Sequence, residues 1–438
     1  MTPPSKNTSP TTLFRIVPIR SGETRIVLLS ACYFFLLLLS YYLLRPLRET
    51  YGISRGADQL PVIWSCTLGV MALINPVYSF LVARWPRRVF IPGTYQCFAT
   101  MLVVFGILYS SLPNHGGTAL GYTFYVWLSV FNLFVVSIFW AFMADLYNRA
   151  DGQRLFGIIA IGGTLGAIVG SAFTAECISW LGAEYVHWLF YISAFVLELA
   201  VICISLLFKL ASNSNSELQV SSNRINVDSG EPSPSATAGL ALIGKSRLLQ
   251  SISSYMILYA IAGTFLYIMQ GSIVEAVFAD IASRTIAFAR IDLWTNILTL
   301  VAQLFLAHRL VVRVGIPISL LILPIVTLLG FGSLWLFPGF AVLAVFQVAR
   351  RGLHYAIDRP VREMLYIPLS PDAKYKAKSF IDTFVYRTGD FIGVWITPLL
   401  KAMSLSLGLP SIALTALWIG SATWLGRHVD PVKKSHSS

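Results

Sequence analysis

Residues 26–49, IVLLSACYFFLLLLSYYLLRPLRE, run for nineteen positions without a charge and then place Arg45, Arg48 and Glu49 within a turn and a half. A helix needs roughly 20 apolar residues to cross the hydrocarbon of a bilayer, so the stretch reads as a membrane helix. Ionised groups at its C-terminal end are costly unless they pair, reach an interface or line a watery path. The same mixture returns at Asp358-Arg359-Pro360-Val361-Arg362-Glu363. Together the two stretches predict a polytopic membrane protein with a polar interior.

The rest of the chain agrees. Of 438 residues 56% are hydrophobic and only 12% charged, and mean hydropathy is +0.71. Soluble domains carry roughly 25% charge. Apolar spans recur at 26–44, 61–82, 89–111, 119–143, 155–175, 186–209, 250–271, 286–307, 315–336, 338–363, 378–399 and 404–426. These are continuous runs, not the alternating ten-residue segments of a membrane barrel. The expected architecture is all-α, with twelve transmembrane helices in two six-helix halves, 26–209 and 250–426. A tail at 1–25, a linker at 210–249 and a tail at 427–438 complete it. Ala211 to Ser235 is rich in Ser, Asn, Glu and Pro, which marks the linker as disordered. The first run lacks a signal-peptide cleavage pattern and is expected to stay attached as helix 1.

Once the spans are drawn, 21 of the 32 Lys and Arg fall on one set of connections and tails, including the Arg84-Trp85-Pro86-Arg87-Arg88 turn. The positive-inside rule therefore places both termini in the cytoplasm. The net charge of +12 is mainly a topology signal, with attraction to anionic membrane lipids as a by-product. No nucleic-acid-binding motif accompanies it.

The halves resemble each other faintly. Phe156 to Gly170 lies against Ser379 to Gly393, superposing Gly166 on Gly389 and Gly170 on Gly393. Parallel repeats of six helices are the plan of major-facilitator transporters, with substrate held between the halves near the midplane. Gly162, Gly163, Gly166 and Gly170 also form a small-residue face on which another helix can pack closely.

The charged positions point to transport of an anion. Arg45 and Glu49, Asp358 and Arg362, and Arg359 and Glu363 are each four apart and can pair on one helix face. Pro46 and Pro360 fall inside these pairs and are expected to kink or open the helix. Arginine keeps its charge and holds phosphate or carboxylate oxygens bidentately, so Arg45, Arg48, Arg359, Arg362 and Arg387 are candidate substrate ligands. Tyr267, Tyr355 and Tyr386 can stack or hydrogen-bond beside them, with Tyr41, Tyr42 and Asn132 within reach. Gln347, Arg350, Arg351 and His354 share the tenth span, Arg350 and Arg351 being expected nearer the outer face. Glu49, Asp292, Asp358, Glu363, Asp382, Asp390, Lys376 and Lys378 are candidates for gating or for coupling to a proton or counter-substrate. Arg290, Lys378 and Arg387 are the expected partners of the aspartates nearest them.

Gly239 to Ser246, GLALIGKS, has P-loop spacing but follows a linker instead of a strand, so no nucleotide hydrolysis is expected. The five cysteines lie singly, and no metal, cofactor or enzyme chemistry is indicated. The expectation is a secondary transporter of a small anionic solute. A proton-coupled exporter of amphiphilic compounds and a non-transporting scaffold or sensor are the alternatives.

At Tyr41 to Ile53, YYLLRPLRETYGI, at Arg359 to Leu369, RPVREMLYIPL, and at Lys374 to Asp390, KYKAKSFIDTFVYRTGD, the chain resembles the ATP/ADP translocase family of intracellular bacteria and plastids. It looks closer to that family's free-living bacterial relatives. The resemblance implies a major-facilitator-like fold, a bacterial inner-membrane location and movement of nucleotides or other phosphorylated solutes through a basic central path. It also marks Glu363, Lys376, Lys378 and Asp382 for phosphate binding or gating.

Overall fold

The computed structural model describes residues 20, 23–112, 117–147, 149–213, 242–367, 369, 377–378, 380–403 and 406–435. Lys376 and most of the 210–249 linker lie outside them. The described chain is helical throughout: α1 (Thr24–Gly52), α2 (Leu60–Arg84), α3 (Arg87–Ser111), α4 (Gly117–Leu146), α5 (Arg149–Leu181), α6 (Trp188–Asn213), α7 (Arg247–Val277), α8 (Ile281–Ala302), α9 (His308–Leu336), α10 (Phe340–Leu353, continuing to Met364), α11 (Tyr386–Ala402, entered through Ile381–Val385) and α12 (Gly408–Ser435). Among the described residues, ten helices are long and apolar enough to cross a membrane. The chain is thus an all-α, multi-pass membrane protein. The two outside that count are α10 and α11, the helices richest in internal charge.

Two hydrophobic cores form. One joins α1, α3, α4, α5 and α6 around Tyr33, Phe131 and Phe139. The other joins α7 to α12 around Tyr255, Phe331 and Trp418, and also takes in Ile53, Ala57 and Leu60. Helix α5 lies on α1 through the small-residue face. A Cβ on Gly166 would sit 2.9 Å from the Phe35 carbonyl carbon, and one on Gly170 would sit 2.9 Å from the Leu39 oxygen. Helix α11 meets α7 the same way, Gly389 facing the Ile257 oxygen at 2.8 Å and Gly393 the Ile261 Cα at 3.3 Å. The four glycines aligned in the sequence therefore occupy matching helix crossings.

The prolines behave differently from one another. Pro46 is buried within the unbroken α1, and the Thr50 hydroxyl donates to its carbonyl at 3.1 Å. Pro360 follows a π-helical turn at His354–Asp358 and opens the last segment of α10. A proline ring costs nothing at a helix start, but inside a helix it removes a hydrogen bond. The π-turn is the local opening that accommodates it, and such turns recur at functional sites. Ser246, the end of the P-loop-like stretch, caps α7 by accepting from the Leu249 amide at 3.4 Å.

Candidate functional site

Residues three and four apart share a helix face, so α1 presents Arg45, Arg48 and Glu49 together. Arg45 donates to Asp292 of α8. Arg351 of α10 donates to the same carboxylate oxygen at 2.7 Å. Glu49 receives Arg48 Nη1 at 2.7 Å, lies 3.9 Å from Arg45 Nη2, and accepts the Tyr267 hydroxyl of α7 at 2.5 Å. Arg48 also donates to the Ser129 hydroxyl at 3.0 Å, and its guanidinium lies 4.0 Å from the Tyr125 ring centroid. Both carboxylates are buried. A buried ion is tolerable only when paired and hydrogen-bonded, and stranding one by deleting its partner costs about 3–5 kcal/mol.

This network borders a cavity of about 180 Å³ lined by residues of α1, α2, α7, α8, α10 and α11. Arg350 points to it from α10, is only 6% exposed, and reaches nothing better than the Tyr259 carbonyl at 3.4 Å. Its Nε has no hydrogen-bond partner, and among the described residues no carboxylate pairs with it. Asp390 of α11 completes the wall, 3.4 Å from the Thr264 hydroxyl and 3.3 Å from Arg387. In its lining Arg45, Arg350 and Arg351 balance Glu49, Asp292 and Asp390. A neighbouring cavity of about 200 Å³, which shares Trp64, Tyr386 and Asp390, adds Arg48 and Arg387, so the two together carry an excess of two positive charges. Such a surplus in a low-dielectric setting is a ready site for an anion.

Two still larger cavities adjoin these. One of about 320 Å³ is lined by Arg359, Arg362, Glu363, Asp382, Tyr386 and Arg387, and shares Tyr259 and Tyr386 with the first. The other, of about 790 Å³, shares Arg45 and extends past Tyr41, Tyr42, Asn132, Asn296 and Tyr355 to Arg359. Arg359 is exposed where these two meet.

Behind the 320 Å³ cavity, buried Asp358 accepts from Tyr255 at 2.5 Å, lies 3.0 Å from His354 Nδ1 and pairs with Arg362 at 3.1 Å. Arg45–Glu49 and Asp358–Arg362 thus approach as helix spacing predicts. Two partnerships differ. Glu363 pairs with Lys378 at 2.5 Å instead of Arg359, because the π-turn and Pro360 end the segment at Met364 and leave Glu363 facing the next helix. Asp292 takes Arg45 and Arg351 and not Arg290, which is exposed on the far face of α8.

Most expected residues gather on connected cavities: Arg45, Glu49, Tyr267, Asp292, Tyr386 and Asp390 at the first, Arg359, Arg362, Asp382 and Arg387 at that of about 320 Å³, Tyr355 in that of about 790 Å³. Arg48 joins through its contact with Glu49. Lys378 and Glu363 stand at the rim. Arg350 and Arg351 line the first cavity as well. Tyr259 and Gly263 also line the first cavity, and their four-residue spacing from Tyr267 on α7 was the signal that could have found them. Among the described residues no group of three His, Cys, Asp or Glu is placed to hold a metal ion.

One end of the central space is latched. Thr50 of α1 hydrogen-bonds Thr285 of α8 at 3.0 Å, and Glu275 of α7 accepts the Ala57 amide at 2.9 Å. Tyr125 and Tyr267 share a hydrogen bond of 3.0 Å. The largest cavity opens on the opposite side, between the earlier turns of α1 and the later part of α10.

Comparison with known proteins agrees with this geometry. Residues 120–346 match the model of the TLC ATP/ADP transporter family. ADP,ATP carrier protein 2 of Chlamydia trachomatis is 22% identical, the alignment covering 89% of this chain and 85% of that protein. ADP,ATP carrier protein 1 of Chlamydia muridarum is 20% identical, over 94% and 89%. The nucleoside transporter NupG has the same fold, with a TM-score of 0.57, 15% identity and coverage of 93% of this chain and 99% of that one. So does an auto-inhibited POT family peptide transporter, with a TM-score of 0.62, 12% identity and coverage of 93% and 97%. The chain belongs to the TLC ATP/ADP transporter family and is a secondary, alternating-access transporter of a small solute.

Proposed function

We propose that the solute is a phosphorylated anion of the nucleotide class, held between two six-helix halves, 26–209 and 250–426, and exchanged across a bacterial inner membrane. All twelve helices cross in this reading, α10 and α11 included, since their charges face the central cavities and not lipid. The matching glycine crossings of α5 on α1 and α11 on α7 support the division into halves. The distribution of basic residues supports cytoplasmic termini.

The observation that carries the proposal is Arg350, a buried guanidinium with no carboxylate partner among the described residues, beside two neighbouring cavities that together hold two excess positive charges. A fixed structural network would be expected to balance its charges. Here the missing anion is the substrate, for which Arg45, Arg48, Arg350 and Arg351 supply forked donors. Tyr42, Tyr355 and Trp140 line the larger cavity and offer ring surfaces for a base. Arg359, Arg362 and Arg387 draw the anion inward from the rim, while Glu49, Asp292 and Asp390 exchange partners as it binds. The halves then rock to present the site to the other side.

The test is uptake of radiolabelled ATP into proteoliposomes preloaded with ADP, with empty liposomes as control. Saturable exchange that falls at least 100-fold in Arg350→Gln, with the variant still monodisperse, is the expected result, in line with loss of roughly 3 kcal/mol for a desolvated charged contact. Exchange unchanged in the variant, or absent in the folded wild type, rejects the assignment.

A further inference from the structure

His354 occupies the first position of the π-turn in α10 and lines the 320 Å³ cavity. Its ring stacks on Tyr259 with centroids 4.8 Å apart and an interplanar angle of 21°. Nδ1 lies 3.0 Å from Asp358 and Nε2 lies 3.1 Å from the Tyr259 hydroxyl. Asp358 accepts from its other neighbours, so Nδ1 carries the hydrogen and donates to it. In the neutral ring Nε2 then accepts from Tyr259.

The same heavy atoms also serve the charged ring. On protonation Nε2 becomes a donor, and the Tyr259 hydroxyl turns to accept. No side chain has to move, and Asp358 stays ionised in both states. A histidine held between a carboxylate and a reversible hydroxyl is well built to take and release a proton.

Charge decides when it does so. On α10, Arg350 and Arg362 flank the group, Asp358 is the carboxylate in contact with it, and Arg359 and Glu363, the latter paired with Lys378, line the same cavity. The two guanidiniums lie 5.3 and 5.4 Å from the Tyr259 ring centroid. From α7 it meets the uncharged Tyr255 and Tyr259. Helix α11 brings Tyr386, Arg387 and Asp382 to the same cavity, and α12 contributes the Trp418 indole against Tyr259. At the end of α8, Gln303 donates to the neighbouring Tyr355 carbonyl at 3.4 Å. A proton on His354 therefore adds a charge to a region already in positive excess. An anion beside Arg350 cancels that excess, and Tyr259 lines both its cavity and that of His354.

We infer that His354 binds a proton when the anion occupies the cavity at Arg350, so that one proton travels with the anion. The inference rests on the anion reading given above. By linkage the proton must in turn favour the anion by the same factor.

Calorimetric titration of the purified full-length protein with ATP, in two buffers of different ionisation enthalpy, counts the protons taken up on binding; pyrophosphate is titrated alongside. His354→Gln keeps a hydrogen-bonding atom near the Nε2 position and His354→Asn one near Nδ1. Wild-type protein is expected to take up about one proton more per anion than either variant between pH 6 and 8. Binding by wild type and variant with equal proton counts overturns the inference and leaves the anion reading intact. Wild-type uptake near zero across that range overturns it without any variant. No binding of either anion rejects both.

Discussion

Replacing Gly170 by alanine tests the helix crossing on which the fold depends. The added methyl would lie 2.9 Å from the Leu39 carbonyl oxygen, 3.0 Å from Tyr42 Cβ and 3.2 Å from the Leu43 amide nitrogen. Ordinary contacts begin near 3.4 Å, so α5 and α1 must part by about 0.5 Å. The opposing atoms are mostly backbone and cannot rotate away. Overpacking of this kind costs about 1–3 kcal/mol. Against it stands the gain of about 0.5–1 kcal/mol from removing a glycine from a helix interior. Gly157, on the same helix, has open space around its Cβ position, so Gly157→Ala carries the gain alone. The difference between the two variants isolates the crossing. Midpoints of thermal unfolding in detergent, read by tryptophan fluorescence, should run Gly157→Ala at or above wild type, Gly170→Ala below it, and Gly166→Ala lowest. Equal midpoints for Gly157→Ala and Gly170→Ala would refute close backbone packing of α5 on α1.

Asp292→Asn removes the carboxylate that, in the proposed function, competes with substrate for Arg45 and Arg351. Tighter binding of ATP, about tenfold, with slower exchange is expected from equilibrium binding and proteoliposome uptake, and weaker binding would contradict the competition. A Thr50→Cys, Thr285→Cys pair replaces the hydroxyls that latch one end at 3.0 Å; oxidation should halt exchange and reduction restore it, while unaffected exchange would show that this end does not open. At the head of α1, outside its apolar span, Arg154 hydrogen-bonds Glu23 at 2.8 Å and holds that carboxyl below the usual glutamate range. Because the folded group titrates below the unfolded one, its contribution is complete above the unfolded value and fades as pH falls through the folded one. The unfolding midpoints of wild type and Glu23→Gln should therefore differ near pH 7 and converge only as the pH falls below the usual glutamate range; a gap that is constant with pH would argue against this pair.

Span length and charge placement made the membrane fold legible, since hydrocarbon tolerates little else than a closed helix. The glycine alignment located both close crossings because a crossing at backbone distance admits no Cβ. Individual partnerships were less legible. Spacing along a helix forecasts Arg45–Glu49, which forms at 3.9 Å, but the closer partner of Arg45 is Asp292, 247 positions away. Nothing local specifies that contact. Nor does spacing say that Arg350 and Arg351 of α10 line one cavity with Arg45 of α1.

Asp292 also explains how a surplus of guanidinium can wait in a membrane interior. Arg45 and Arg351 both reach one of its oxygens, while among the described residues Oδ2 is buried without a partner. Two donors therefore share one acceptor, and neither arginine is fully satisfied. A phosphate brings three oxygens and can serve both forks at once. In the proposed function, exchanging Asp292 for phosphate would gain hydrogen bonds and also remove a tie between α1 and the pair α8 and α10. Substrate binding and release of that tie would then be the same event, and the solute's affinity would be spent on moving one group of helices against another.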